Sequence, residues 1–367
     1  MRRLLPITLW ALSALLLLVW TLAPPPAAWI DAVYTPVLYA GVARAIIPVT
    51  GALPFSLAGL LGLGGALWLG VSLVRSWRRL GLRTFLQRWG LRALFFGTVL
   101  WALFLVMWGA NYARTPLETR YGLPEGPTRS AEVAQLARDL AQVIAQDAPA
   151  KRPPDAWARG VAAARTALEK TVAALEGRTL TLPRYVKRTP PGLLIFSGQA
   201  TGIVVPWTLE AHVDGALPLP YALGTALHEL AHLAGYGSEA ETDFVTGLAG
   251  LTADDPLLRY STALTLFSRA ARSLERDAYR ELYAALPAVA REDIAALRAV
   301  YDRFLPPRPA AWLQTLFYDT YLRSQGVGAG VADYDRATEL LVGAQRSGLL
   351  RFDAASGRFE VALEAGP

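Results

Sequence analysis

Three uncharged runs dominate the first part of the chain, at 4–23, 51–74 and 93–110. A helix crosses the hydrocarbon core of a bilayer with about 20 apolar residues, so the expected count is three membrane spans. The whole chain agrees: 53% of its 367 residues are hydrophobic and 18% charged, with a mean hydropathy of +0.29. That is too apolar for a purely soluble protein of this length. The first run also has the flanks of a signal peptide, "MRR" before it and "PPPAA" after it, but it is long for that role and a retained anchor is the expectation adopted.

Charge is divided along the chain. Residues 1–110 hold nine arginines, no lysine and one acid, Asp31, for a net of +8, whereas the remainder nets −2. The basic excess therefore belongs to the membrane segment, where arginines set topology, and nucleic-acid binding is excluded as a reading of the overall +6. Arg75, Arg78, Arg79, Arg83, Arg88 and Arg92 lie between the second and third runs, while residues 24–50 hold only Arg44. By the positive-inside rule the N-terminus and the arginine-rich loop face the cytoplasm, and residues 111–367 emerge on the outer side of the membrane. Residues 31–50, with Trp29, Tyr34 and Tyr39 nearby, are expected either at the outer interface or in a structured loop.

Beyond residue 110 the hydrophobic spacing predicts helices from about Ser130 and over 155–176, the second ending at Gly177. The stretch 180–213 has β-branched and aromatic runs cut by Pro and Gly, which predicts short strands in hairpins, with Pro206 confining its strand to an edge or an end. Helical periodicity then returns over 221–234, 238–250, 257–283, 291–303, 308–323 and 333–346. The expected fold class is mainly α: three transmembrane helices over residues 1–110, then an α+β zincin-like extracytoplasmic domain over 111–367.

With no cysteine, a transition-metal site must be built from His, Asp and Glu. The chain has three histidines, and two of them stand in "HELAHLAGYGSEAETDF", residues 228–244. His228 and His232, four apart on one helix, can reach a single ion, and Glu229 lies beside them. This is the HExxH arrangement of zincins, in which Zn2+ activates a water and the glutamate takes its proton and later delivers it to the leaving amine. The bland alternative is an alanine-rich core helix that happens to carry two histidines.

Gly235 ends that helix, and Ser238 begins another whose early acids return towards the histidines. Ser238 and Glu241 fit a capping box, which would account for Glu241 structurally. Glu239 and Asp243 share a face in the E-x-x-x-D spacing with which glutamate-zincins bind zinc and orient a ligand histidine. Glu239 is the expected third ligand, with Asp243 orienting a histidine and Glu241 as the alternative ligand. His212 and Tyr260 are candidate stabilisers of a transition-state oxyanion. The segment 202–207, "GIVVPW", could offer a sheet edge to an extended peptide, or could be a plain packing hairpin.

The blocks "WGANYARTPLETRYGL", "GIVVPWTLEAHV", "HELAHLAGYGSEAETDF", "RYSTAL" and "YDTYLRSQGVGAGVADYDRATELL" occur in order along most of the chain. They resemble the bacterial membrane-protein family catalogued as domain of unknown function 3810. The resemblance implies a zinc metallopeptidase-like core with His228 and His232 as ligands and Glu229 as base. That family usually has E-x-E-A-N where this chain has "EAETD", so Thr242 and Asp243 replace Ala and Asn. The expected function is a membrane-anchored zinc peptidase acting on a peptide or protein of the cell envelope, with the lipid bilayer as its other partner. The competing class is a non-catalytic membrane sensor or envelope scaffold whose metal site is structural or vestigial.

Overall fold

The computed structural model describes residues 4–124, 126–324 and 333–362 of the chain. Part of the last block quoted above, residues 325–332, lies outside them. The chain begins with α1 (Leu4–Leu22), which packs against α5 (Leu82–Met107). Between them run α2 (Ala27–Trp29), a π-helical stretch Ile30–Tyr39 and α3 (Ala40–Thr50), continuous with one another, and then α4 (Leu57–Arg79). Among the described residues, three helices are long and apolar enough to cross a membrane: Ala27–Thr50, Leu57–Arg79 and Leu82–Met107. No residue of α4 is buried, and on α5 only Ala102, Phe104 and Leu105 are. Helices apolar all round and uncovered by protein are built to face lipid.

The membership of this set differs from expectation. Residues 31–50, expected as an interfacial stretch or a loop, form a membrane-length helix, while α1 covers the first expected run at shorter length. That helix is also fastened to the rest of the protein. The Tyr34 hydroxyl donates to the carbonyls of Leu105 and Val106, and the Tyr39 hydroxyl to that of Leu233 at 2.7 Å. At its far end the Tyr185 amide donates to the Gly51 carbonyl, and the buried Lys187 ammonium donates to the carbonyls of Thr50 and Leu53. A Cβ on Gly51 would stand 2.6 Å from the Pro183 side chain, so only glycine permits this approach. One hydrophobic cluster consequently runs from Ile30 to Phe359, and the core does not stop at residue 110.

The rest of the protein is a helical body with two small sheets. After α6 (Leu117–Tyr121) come α7 (Ser130–Asp147) and α8 (Ala156–Glu176), the latter ended by Gly177 at φ +63°. The stretch 180–213 supplies β1 (Lys187–Arg188), α9 (Leu193–Gly198), β2 (Gly202–Val205) and β3 (Glu210–Val213). β3 is central, parallel to β1 and antiparallel to β2, so β2 is an edge strand that stops just before Pro206. Then follow α10 (Leu219–Leu233), α11 (Glu239–Leu251), α12 (Pro256–Ala270), α13 (Arg276–Ala285), α14 (Ala288–Phe304), α15 (Arg308–Ser324) and α16 (Asp333–Ser347). The helix expected over 257–283 is broken near Leu274, whose backbone is extended. A closing hairpin, β4 (Leu350–Asp353) and β5 (Arg358–Val361), was not foreseen.

Strand β3 ties the membrane helices to this body. Its alternation sends Ala211 and Val213 into the core and leaves Glu210 and His212 together on the other side. The Glu210 carboxylate accepts the Leu57 and Ala58 amides at 3.0 and 2.7 Å, capping the first turn of α4 where unpaired amides favour negative charge. His212 Nε2 lies 2.8 Å from the Ser56 hydroxyl, which itself accepts the Gly59 amide.

Candidate metal centre

Pro220 opens α10, and Leu223, Leu227, Leu230 and Ala231 bury it in the centre of the helical body. The helix must therefore find internal partners for its two histidines. It ends at Ala234, after which Gly235 turns the chain at φ +94° beneath Thr35 and Asn111. Ser238 caps α11 by accepting the Glu241 amide, and the first turn of α11 brings acids back against α10.

The arrangement of ring nitrogens is one that could hold a metal ion. His228 Nδ1 lies 2.7 Å from Asp243 Oδ1, and His232 Nδ1 lies 2.8 Å from the carbonyl oxygen of Tyr236. Both partners accept, so with a cation at the centre each ring would donate from Nδ1 and turn its Nε2 lone pair to the ion. Both Nε2 atoms face Glu239 Oε2, at 3.1 and 3.6 Å. Ligands on a tetrahedral zinc at about 2.0–2.1 Å stand about 3.3 Å apart, a separation these two distances bracket. His228, His232 and Glu239 form a buried group whose ligand atoms all lie within 4.8 Å of one another. The residues present fit a zinc ion.

The electrostatics separate the two glutamates. Burial pushes the Glu229 carboxyl up to about 7, against the pull of His228 and His232. Glu239 is buried too, but His232 beside it and the His228 hydrogen bond hold its carboxyl well below the usual range. Glu229 lies under the start of β2: a Cβ at Gly202 would collide with its Oε1, so glycine leaves room there for the carboxylate.

Two supports have no counterpart in the local spacing. The Tyr318 hydroxyl, from α15, donates to Glu239 Oε1 at 2.8 Å, which fixes the other oxygen towards the histidines. Arg269, on α12, pairs with Asp243 Oδ2 behind His228. Residue counting cannot connect positions 318 and 239. The one available signal was that "YDTY" stands in a block shared with the resembling family. Trp108, at the end of α5, donates its indole N–H to the His232 carbonyl at 3.0 Å, joining the membrane helix to the site.

Three expected residues are placed elsewhere. Glu241 turns away from the histidines: its carboxylate meets Arg120 at 2.5 Å and the Leu117 amide at 3.1 Å, and the expected capping box is realised only on the Ser238 side. The nearby guanidinium of Arg120 outcompeted a neutral backbone amide. His212 is held at Ser56, with burial pushing its pKa down. Tyr260 is wholly buried and donates to Asp293 at 2.6 Å. Neither is brought to the cluster of His228, His232 and Glu239.

Around Glu241 lies a second charged group. Glu176 accepts from Arg114, Arg120 and Arg178, and the hydroxyls of Tyr121 and Tyr236 donate to it. Burial opposes its ionisation, but the three guanidinia hold its carboxyl far below the usual range. Arg114 also reaches Asp31 at 2.8 Å, so the one acid within residues 1–110 secures the Ala27–Thr50 helix to this group.

Membrane-length apolar helices joined to a buried His-His-Glu cluster define a largely helical membrane protein with a candidate metal centre. The chain belongs to the family described as "Protein of unknown function (DUF3810)", whose model matches residues 34–342. No curated protein and no solved structure matches it.

Proposed function

We propose that this protein is a membrane-anchored zinc-dependent peptidase whose catalytic body stands outside the cytoplasmic membrane. The observation that carries the reading is the convergence of His228 Nε2 and His232 Nε2 on Glu239 Oε2, with Glu229 alongside. A zinc ion held by these three residues would supply Lewis acidity to a water and to the carbonyl oxygen of a scissile amide. Glu229 accepts a proton from that water as its oxygen attacks the carbonyl carbon. It then returns the proton to the amide nitrogen as the C–N bond breaks. Burial of this carboxyl favours its protonated form, which supports its part in accepting and returning a proton. Asp243 and the Tyr236 carbonyl keep the two imidazoles in one tautomer and orientation. The edge strand β2, which begins over Glu229, offers backbone groups to an extended peptide.

The places where helix ends meet the body support this topology. α4 starts at Glu210 and α5 ends at His232, so the arginine-rich turn between them lies at the opposite, cytoplasmic end. The Ala27–Thr50 helix is tied to the body at Asp31, Tyr39 and Gly51, and we read it as lying on the body's side of the membrane. α1, α4 and α5 are then the crossing helices.

The test is metal content and peptide hydrolysis of the full chain purified in detergent. One zinc per chain, lost in His228→Ala and His232→Ala, is the expected result; full zinc retention in either variant would overturn the site. Zinc without hydrolysis of any envelope protein or peptide tried would instead favour the scaffold class.

A further inference from the structure

We propose that the face formed by the β2–β3 hairpin tip, α9 and α15 is a lipid-contacting surface that seats the metal cluster at the edge of the bilayer. Trp207 at the hairpin tip donates its indole N–H to the Leu100 carbonyl at 3.3 Å. Leu100 lies seven residues before the end of α5, which at 1.5 Å per residue is about 10 Å back along that helix. The hairpin therefore hangs beside a membrane-length apolar helix, about 10 Å short of that helix's end.

Between that tip and α9 the exposed apolar side chain is Ile203 on β2. Phe196 on α9 is 57% exposed, and on α15 Trp312 and Phe317 are 64% and 73% exposed. Gln199 donates to the Ala311 carbonyl at 2.8 Å and Gln314 to the Phe196 carbonyl at 3.0 Å, so the two helices move as one piece. Trp312, Leu313, Leu316 and Phe317 occupy one stripe of α15, flanked by Arg308 and by Arg323, which is paired with Asp319. An interfacial helix has this pattern, with an apolar face and aromatic rings in the acyl boundary and cationic ends at the headgroups. Continuity with α5 selects lipid as the occupant over a second protein.

Tyr318, next to this stripe, reaches Glu239, so the surface lies one helix away from the candidate metal centre. Combined with the peptidase reading, on which this consequence rests, the substrate class becomes a polypeptide segment just leaving the bilayer. The lipid contact itself does not depend on that reading.

The chain contains no cysteine, so single-cysteine variants can be labelled cleanly. Trp312→Cys and Phe317→Cys replace exposed side chains, and Asp277→Cys on α13 serves as a water-facing control. The full-length variants, carrying a polarity-sensitive fluorophore, are reconstituted in vesicles of phosphatidylcholine and phosphatidylglycerol containing nitroxide-labelled lipid. The expected result is quenching at 312 and 317 stronger than at 277 by about threefold or more, unchanged as the protein is diluted with excess lipid. Equal quenching at all three positions overturns the proposal. So does shielding at 317 that vanishes on dilution, which would assign the face to a second copy. Because the readout is optical, its failure leaves zinc content and peptide hydrolysis untouched, and their failure leaves it untouched.

Discussion

Glu239 and Glu241 are two residues apart, and replacing each by glutamine should give opposite results. In Glu241→Gln the charged bond to Arg120 is lost, but Arg120 keeps Glu176 at 2.7 Å. The cost should therefore follow a charge-assisted hydrogen bond, about 2 kcal/mol, and fall short of the roughly 3–5 kcal/mol for stranding a buried ion. For a body of this size that is a fall of about 4–8 °C in Tm. Zinc affinity should not change. In Glu239→Gln the proposed ligand loses its charge, and zinc affinity should fall by more than the roughly 10–100-fold caused by removing an outer hydrogen-bond partner of a ligand. The assay is competition against a chelator of known affinity, with Tm measured by light-scattering-corrected fluorescence on the same samples. If Glu241→Gln releases zinc while Glu239→Gln keeps it, the assignment of the third ligand is wrong and the Arg120 bond is not the native role of Glu241.

Four further outcomes are expected. Glu229→Gln should keep zinc and fold, while peptide turnover drops by about 10²–10⁴-fold through loss of the proton acceptor; equal turnover would remove Glu229 from the chemistry. Asp243→Asn should weaken zinc binding by about 10–100-fold in the chelator assay, because His228 loses the carboxylate behind it; unchanged binding would contradict the orienting role. Glu176 has its folded pKa depressed below the ordinary 4.5, so its stabilisation is complete above that value and is lost as pH falls towards the folded one. Melting curves between about pH 5 and pH 3 should therefore fall for wild type and be lower but flatter for Glu176→Gln; parallel curves would count against it. A reporter active only in the cytoplasm should work when fused after residue 85 and be silent at the C-terminus, and the reverse pattern would turn the topology over.

The parts of the site that share a helix were readable in the chain because helical spacing is a local rule. His228, Glu229 and His232 are related by one turn, and Glu239 and Asp243 by another, so their common faces follow from counting residues. What depends on distant packing was not readable. Whether Glu241 would cap its own helix or turn to Arg120 depends on a guanidinium 121 residues away. Tyr318 and Arg269 reach Glu239 and Asp243 only because α15 folds against α9 and α12 against α10 and α11. His212 and Tyr260 were chosen by residue type alone, and Ser56 and Asp293 hold them elsewhere. The apolar runs disclosed the membrane character of residues 1–110, yet the helix over Ala27–Thr50 hid its role, because Tyr34, Thr35 and Tyr39 bond to carbonyls and an amide that no periodicity reports.

The junction between α4 and β3 has a mechanical meaning. Membrane anchors are often joined to their cargo by a loose leash, which lets the cargo tumble and reach many heights above the lipid. Here Glu210 grips the first turn of α4, and Trp108 at the foot of α5 holds the backbone of His232. The body is joined to its anchors by direct hydrogen bonds, with no long linker between them. Were the cluster the peptidase site proposed above, it would measure a substrate from the membrane plane and select a cut by its height as well as by its side chains, and lengthening either joint would erase the ruler.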